Sequence, residues 1–175
     1  MLSKYIEKEV LVPSFLIELT LNVTSVKDYL IKTIEKGILE NSNMNYKTNV
    51  KGQMTHWKYF NSNQSFLSVL DQGFFEIEKN MKLKEGHIFD AWGIKIFDRG
   101  YTVYHDHSEA LYSGILYLND SEQVIHFPQL NIEINPKEGS FLFFSSHLIH
   151  GTKNYNFKNI KYAIPFNFKE KKSWD

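Results

Sequence analysis

The second half of this 175-residue chain consists of short strand-like segments that follow one another without a helical segment between them. Each segment is rich in β-branched and aromatic residues, and turn sequences such as Asp98-Arg99-Gly100 and Asn119-Asp120-Ser121 separate them. Closely spaced strands of this kind favour a mainly β fold, either a sandwich or a jelly-roll barrel. The expected strands are residues 89–97, 101–107, 112–118, 124–127, 130–134, 140–145 and 161–168.

The first half has apolar residues at helical spacing in two segments, residues 26–39 and 66–81. Ser25 and Ser65 come directly before these segments and are the expected N-caps. Because both helices are amphipathic, each is expected to pack its apolar stripe on a sheet.

These patterns predict a single domain that spans residues 1–175. Residues 1–87 are expected to contribute an N-terminal strand and the two supporting helices. Residues 88–168 are expected to form the β core that carries the chemistry.

Composition excludes several kinds of site. The chain has 20 Lys and Arg against 20 Asp and Glu, and this balance argues against a broad nucleic-acid-binding or membrane-binding surface. It has no cysteine, so any metal must take imidazole and oxygen ligands, which suits iron, manganese, copper or zinc. No segment approaches the ~20 apolar residues of a membrane span, and the N-terminus is charged where a signal peptide would be apolar. A cytoplasmic protein is therefore expected.

Three histidines are candidate metal ligands. His105 and His107 lie two residues apart in an expected strand, where alternate side chains point to the same face and can bind one ion. His150 follows the apolar strand at residues 140–145. Three protein ligands leave positions open for reactants, as in non-haem iron oxygenases, although those usually use two histidines and a carboxylate. Asp106 and Glu109 are therefore alternative second ligands, and a hairpin tip with solvated histidines is the interpretation without a metal.

Lys161 is the candidate anchor for a carboxylate, because a buried lysine is costly unless an anion pairs with it. Tyr117 can donate a second hydrogen bond to the same group. Asn167 alternates with Lys161 along the last strand, and Ser113 lies beside a glycine that allows close backbone approach. The alternative for Lys161 is an ordinary outward-facing lysine on a strand.

The order and spacing of these residues resemble the Fe(II)/2-oxoglutarate-dependent oxygenases related to the prolyl hydroxylases, specifically a subgroup with an H-x-H pair. The resemblance covers about residues 90–168. The matching positions are Trp92, Gly100, His105-Asp106-His107, Ser113-Gly114-Ile115-Leu116-Tyr117, Gly139, Phe144-Ser145, His150 and Lys161-Tyr162-Ala163-Ile164-Pro165-Phe166-Asn167.

The resemblance implies a double-stranded β-helix that holds iron on His105, His107 and His150. It also implies that 2-oxoglutarate binds to Lys161 and Tyr117, with Asn167 and Ser113 close by. The implied reaction uses O₂ to hydroxylate a substrate, a small molecule or a peptide, with release of succinate and CO₂. Two other functions stay open: a three-histidine cupin-type dioxygenase that does not use 2-oxoglutarate, and a non-catalytic jelly-roll binding module.

Overall fold

The computed structural model describes residues 12–41, 48–154, 156 and 158–171. The helices in these ranges are α1 (Lys27–Glu40), α2 (Gln64–Glu78) and a short 3-10 helix (Pro128–Leu130). The strands in the same ranges are β1 (Leu16–Thr20), β2 (Val50–Lys51), β3 (Gln53–Met54), β4 (Gly86–Ala91), β5 (Ile94–Ile96), β6 (Tyr101–Thr102), β7 (Tyr112–Tyr117), β8 (Ile125–Phe127), β9 (Ile132–Ile134), β10 (Ser140–Ser145), β11 (Gly151–Thr152) and β12 (Lys161–Glu170).

Seven of these strands form one antiparallel sheet, called the large sheet here. Six follow the order β1-β10-β7-β12-β5-β3, and the seventh, β4, pairs with β12. The ten-residue strand β12 organises it, because β12 pairs with β7 along one side and with β5 and then β4 along the other. The register on β4 shifts between Asn167 and Phe168. Two smaller sheets, β11-β8-β9 and β2-β6, complete the described strands.

The large sheet has a different hydrophobic cluster on each face, because side chains alternate along its strands. On the face called the helix face, Phe141, Phe143 and Phe166 pack with buried residues of α1 and α2. On the opposite face, called the interior face, Leu142 and Phe144 pack with residues of β8 and β9. The large sheet therefore lies between the helices and the β11-β8-β9 sheet, and the predicted packing of both helices on one sheet is confirmed.

Spacing explains why the helices pack this way. The buried residues of α1 include Leu30, Ile34 and Ile38, which lie four residues apart and so form a single stripe.

The predicted serine caps of both helices are wrong. Helix α1 follows Val26 and has no side-chain cap, and α2 is capped by Asn63, whose side-chain oxygen accepts a hydrogen bond from the backbone N–H of Phe66 at 3.0 Å.

Two predicted strands are shorter than expected. The segment predicted at 89–97 divides into β4 and β5, which pair with different parts of β12. Between them the backbone N–H of Trp92 still donates to the Pro165 carbonyl of β12, and Gly93 bonds with Thr55 instead. The segment predicted at 101–107 is a regular strand only over β6. None of the described helices is long and apolar enough to cross a membrane.

Candidate metal centre

The three histidines predicted to bind a metal lie together. One ligand atom from each of His105, His107 and His150 lies within 4.8 Å of the others. Two bonds of ~2.1 Å to one ion span at most ~4.2 Å, so small side-chain rotations are enough to bring all three nitrogens onto an ion.

Backbone pairing fixes this cluster although the predicted strand ends early. The backbone N–H of His105 donates to the carbonyl of His150 at 3.1 Å, and the N–H of His150 donates back at 3.0 Å. Two residues later, the N–H of His107 donates to the carbonyl of Ser146 at 2.8 Å. The extended pairing therefore continues past β6 and keeps both histidines of the H-x-H pair beside His150.

Hydrogen bonds to backbone carbonyls fix the tautomer of two rings. Nδ1 of His105 lies 2.7 Å from the carbonyl oxygen of Val103, and Nδ1 of His150 lies 3.0 Å from that of Leu148. Because a carbonyl oxygen only accepts, each Nδ1 carries the proton and each Nε2 keeps a free lone pair. This is the arrangement by which proteins orient histidine ligands toward a metal.

Burial also keeps the rings neutral, the form that binds a metal. His150 is 4% exposed, and its burial and the neighbouring His105 lower its pKa to about 3. Burial, again with the charge of His105, lowers the pKa of His107 to about 4. Burial lowers the pKa of His105 as well. Desolvation disfavours the imidazolium in all three cases.

The alternative carboxylate ligands lie outside the cluster. Asp106 and Glu109 are both exposed, and neither belongs to the group of ligand atoms that the histidines form. Among the described residues, the set brought together is the three-histidine set.

Lys161 is buried, 2% exposed, on the interior face. Its ammonium donates a hydrogen bond to Oε1 of Gln123, and it has no ion pair with a described residue. Burial without an anionic partner lowers the pKa of Lys161 to about 7. The alternative of an outward-facing strand lysine is therefore wrong.

Gln123 is a residue that the sequence analysis missed. It is fully buried, and its amide nitrogen donates to the carbonyls of Gly100 at 2.7 Å and Lys153 at 3.3 Å. These two bonds turn the amide oxygen toward Lys161. No spacing signal marks this glutamine in the sequence, because it lies in a turn before β8 and its partners are remote in the chain.

One cavity connects the candidate metal ligands with the candidate anion anchor. It has a volume of 40 Å³, and its walls include all three histidines, Lys161, Tyr117 and Ser113. One water molecule needs ~10–15 Å³ of such free volume, so the cavity has room for a few water-sized groups. Tyr117 is 2% exposed and lines the same cavity as Lys161. A buried cation and a tyrosine hydroxyl in one cavity can bind a carboxylate.

Asn167 lies beside the candidate ligand His107. It lines a neighbouring cleft rather than the Lys161 cavity. Its side-chain oxygen accepts a hydrogen bond from the Ser113 hydroxyl at 2.7 Å, and its amide nitrogen lies 3.4 Å from Nδ1 of His107. Asn167 and Ser113 therefore support His107, the ring that has no hydrogen bond to a backbone carbonyl of the described residues.

Comparison with solved structures identifies the fold. A viral collagen prolyl hydroxylase from Paramecium bursaria Chlorella virus-1, in complex with 2-oxoglutarate, matches with a TM-score of 0.68 and 16% identity over 89% of this chain and 96% of that one. A prolyl-4-hydroxylase from Pseudomonas putida matches with a TM-score of 0.67 and 15% identity over 90% and 93% of the two chains. HygX from Streptomyces hygroscopicus, with nickel and 2-oxoglutarate bound, matches with a TM-score of 0.60 and 10% identity over 89% and 82%.

No protein-family model matches the sequence, and no curated protein matches it. The structural likeness extends along most of both chains, and it shows that this chain has the double-stranded β-helix fold of the 2-oxoglutarate-dependent oxygenases. The predicted fold class is confirmed.

Proposed function

We propose that this protein is a non-haem Fe(II)- and 2-oxoglutarate-dependent oxygenase that hydroxylates a substrate. The observation that carries the proposal is the shared cavity, in which three neutral histidines and one buried lysine face the same small space. The solved structures of similar fold include complexes with 2-oxoglutarate, and complexes of HygX also hold nickel.

The residues fit the groups that this activity requires. His105, His107 and His150 would hold the iron, since two of the rings present a free Nε2 and burial keeps the rings neutral. Lys161 and Tyr117 would hold the far carboxylate of 2-oxoglutarate. Bound iron with 2-oxoglutarate supplies oxidising power from O₂, with succinate and CO₂ as co-products.

The protein's own groups have separate tasks in this scheme. Lys161 neutralises the carboxylate, and Gln123 holds the ammonium in position because its amide is fixed by two backbone carbonyls. Apolar walls such as Ile115 and Phe144 exclude water from the cavity and strengthen the charge interaction. Asn167 and Ser113 orient His107 through its Nδ1 side.

A three-histidine dioxygenase that does not use 2-oxoglutarate is the second candidate. The observation that favours it is the ligand set, since no carboxylate of the described residues joins the histidines. In this alternative the substrate itself would bind the metal, and Lys161 would pair with an acidic group of the substrate.

Anaerobic titration of the metal-free protein with Fe(II) and then with 2-oxoglutarate separates these functions. The proposal expects a visible charge-transfer band that requires both additions and is absent in His150→Ala. Metal binding without that band would instead favour the second candidate. A protein that binds no metal would contradict both and favour a jelly-roll binding module.

A further inference from the structure

A second cavity lies beside the candidate metal centre. This cleft has a volume of 340 Å³, and His105 and His107 form part of its wall as well as part of the 40 Å³ cavity. If the proposed function holds, this cleft is where a substrate reaches the metal, so its chemistry bears on the class of substrate.

The wall of the cleft combines aromatic rings with carboxylates. Trp57, Phe89 and Trp92 supply the rings, and Trp57 and Trp92 form an edge-to-face pair with centroids 4.7 Å apart. The carboxylates are Asp90, Asp106 and Glu109, and none of the described residues that line the cleft is a lysine or an arginine. Aromatic faces and carboxylates together attract organic cations.

Unpaired polar atoms in the same wall give independent support. Three buried side-chain atoms of the described residues lack a hydrogen-bond partner, and two of them, Trp92 Nε1 and Asp90 Oδ1, belong to residues that line the cleft. Trp92 is 4% exposed. A buried donor and a buried acceptor without partners are costly, so both call for a ligand that offers the complementary groups.

Nearby lysines do not satisfy Asp90. The ammonium groups of Lys58 and Lys169 lie 5.2 Å and 3.6 Å from the centroid of the Phe89 ring, and neither residue lines the cleft. Burial raises the pKa of Asp90 despite their charge and despite hydrogen bonds from Asn167. A ligand cation in the cleft would complete the compensation of this carboxylate.

We propose that the cleft binds a cationic substrate whose ammonium or guanidinium group meets the Asp90, Asp106 and Glu109 carboxylates while a carbonyl of the same molecule accepts from Trp92. This inference rests on the proposed function for the cleft's role in catalysis, but the recognition itself needs neither metal nor 2-oxoglutarate. The cation can belong to a basic side chain of a peptide or to a small amine.

The test is a direct binding measurement on the metal-free protein, by saturation-transfer NMR with tryptophan emission as a second readout. The probes are N-acetyl-lysine methylamide, its neutral analogue N-acetyl-norleucine methylamide, and butylamine. We expect the lysine derivative to bind ~3–10-fold more tightly than the norleucine derivative, and we expect added salt to reduce this difference in affinity. A lysine derivative that binds better than butylamine supports the contact between a ligand carbonyl and Trp92, and equal binding of the two would overturn that contact.

Variants show whether the cleft is responsible. Asp106→Asn combined with Glu109→Gln should weaken the lysine derivative ~3–10-fold and leave the norleucine derivative unchanged. Trp92→Phe should remove the advantage of the lysine derivative over butylamine, because phenylalanine has no N–H to donate to the carbonyl. Asp71→Asn combined with Glu78→Gln, an equal charge change at exposed positions of α2, is the matched control and should change nothing.

Equal affinity for the lysine and norleucine derivatives would overturn the proposal, as would the absence of saturable binding by any cationic probe. An equal loss of affinity in the Asp71→Asn/Glu78→Gln control would also overturn it, because the effect would then be one of net charge. Because no metal is present, these outcomes are independent of whether the charge-transfer band forms.

Discussion

The two faces of the large sheet are built by the same strands but contribute different things. On the helix face, β7, β10 and β12 present apolar residues such as Leu116, Phe143 and Phe166 to the helices. On the interior face, two of these strands present Ser113, Tyr117 and Lys161 to the candidate metal centre. Alternation along a strand therefore separates the residues that stabilise the fold from those that carry the chemistry.

The comparison teaches that a buried residue in this sheet can be essential for either reason, and that position along the strand indicates which. Substitutions on the helix face should change the free energy of unfolding. Substitutions of the polar residues on the interior face, Ser113, Tyr117 and Lys161, should change ligand binding and leave the fold largely intact.

Phe166→Ala should have the largest effect. The ring is 1% exposed and packs against the rings of Phe66, Phe74 and Phe141, with centroids 5.8–6.3 Å away. Its removal should lower the free energy of unfolding by about 3–5 kcal/mol, measured by urea denaturation. Phe75→Ala, at a position that is 65% exposed, is the control and should stay within ~0.5 kcal/mol. A small effect at Phe166 would contradict the assignment of this face to stability.

His150→Ala should have the next largest effect, on the affinity for Fe(II). Changes to residues that only support a ligand reduce metal affinity ~10–100-fold, so loss of the ligand itself should reduce Fe(II) affinity by at least ~100-fold, measured anaerobically with a competing chelator. The bridge to His105 is made by backbone atoms and should persist. His87→Ala, at an exposed position, is the control. Unchanged affinity in His150→Ala would remove His150 from the ligand set.

Lys161→Met should weaken the binding of 2-oxoglutarate but not the binding of the metal. The loss of a charged hydrogen-bond donor should weaken 2-oxoglutarate binding ~10–100-fold, and metal affinity should not change. The metal-free protein should be as stable as the original or more stable. The methionine side chain is similar in length to that of lysine, and the substitution removes a buried charge. Equilibrium titration followed by thermal unfolding measures both, with exposed Lys158→Met as the control. Parallel loss of metal and 2-oxoglutarate would contradict the division of roles.

The pH dependence of 2-oxoglutarate binding should be the smallest effect. Burial lowers the pKa of Lys161 to about 7 in the free protein, and a bound carboxylate would raise it. Binding above pH 7 therefore takes up a proton, and affinity should fall by up to ~10-fold per pH unit above 7 and level off below it. Calorimetry in buffers of different ionisation enthalpy measures this proton. Lys161→Arg keeps its charge at all these pH values, so a pH dependence that persists in this variant would assign the proton to another group.

Much of the fold could be predicted because it depends on local patterns. The apolar and aromatic content of residues 140–145 and 161–168 predicted β10 and β12 closely, and helical spacing predicted both helices. The caps could not be chosen in the same way. Ser25 and Asn63 both have suitable side chains, and only the path of the chain into each helix decides which residue can bond to it.

The histidines and Lys161 could be predicted because their order along the chain is distinctive. Gln123 and Trp92 could not, because their roles depend on what surrounds them. Gln123 becomes a partner of Lys161 only when remote carbonyls orient its amide. Trp92 lies between β4 and β5 and lines the cleft together with remote residues such as Trp57 and Glu109. Contacts between remote segments leave no periodic signal in a single sequence.

The reciprocal backbone bonds between His105 and His150 also bear on how a metal at the candidate centre would exchange. They hold two imidazoles near each other before any ion arrives, so an incoming ion needs only to shed water and to draw in the third ring. The ion can leave by the same route while the chain stays folded. The metal that occupies the site is then set by the supply of ions around the protein and by the preference of imidazole for each of them, in which copper and zinc outrank iron.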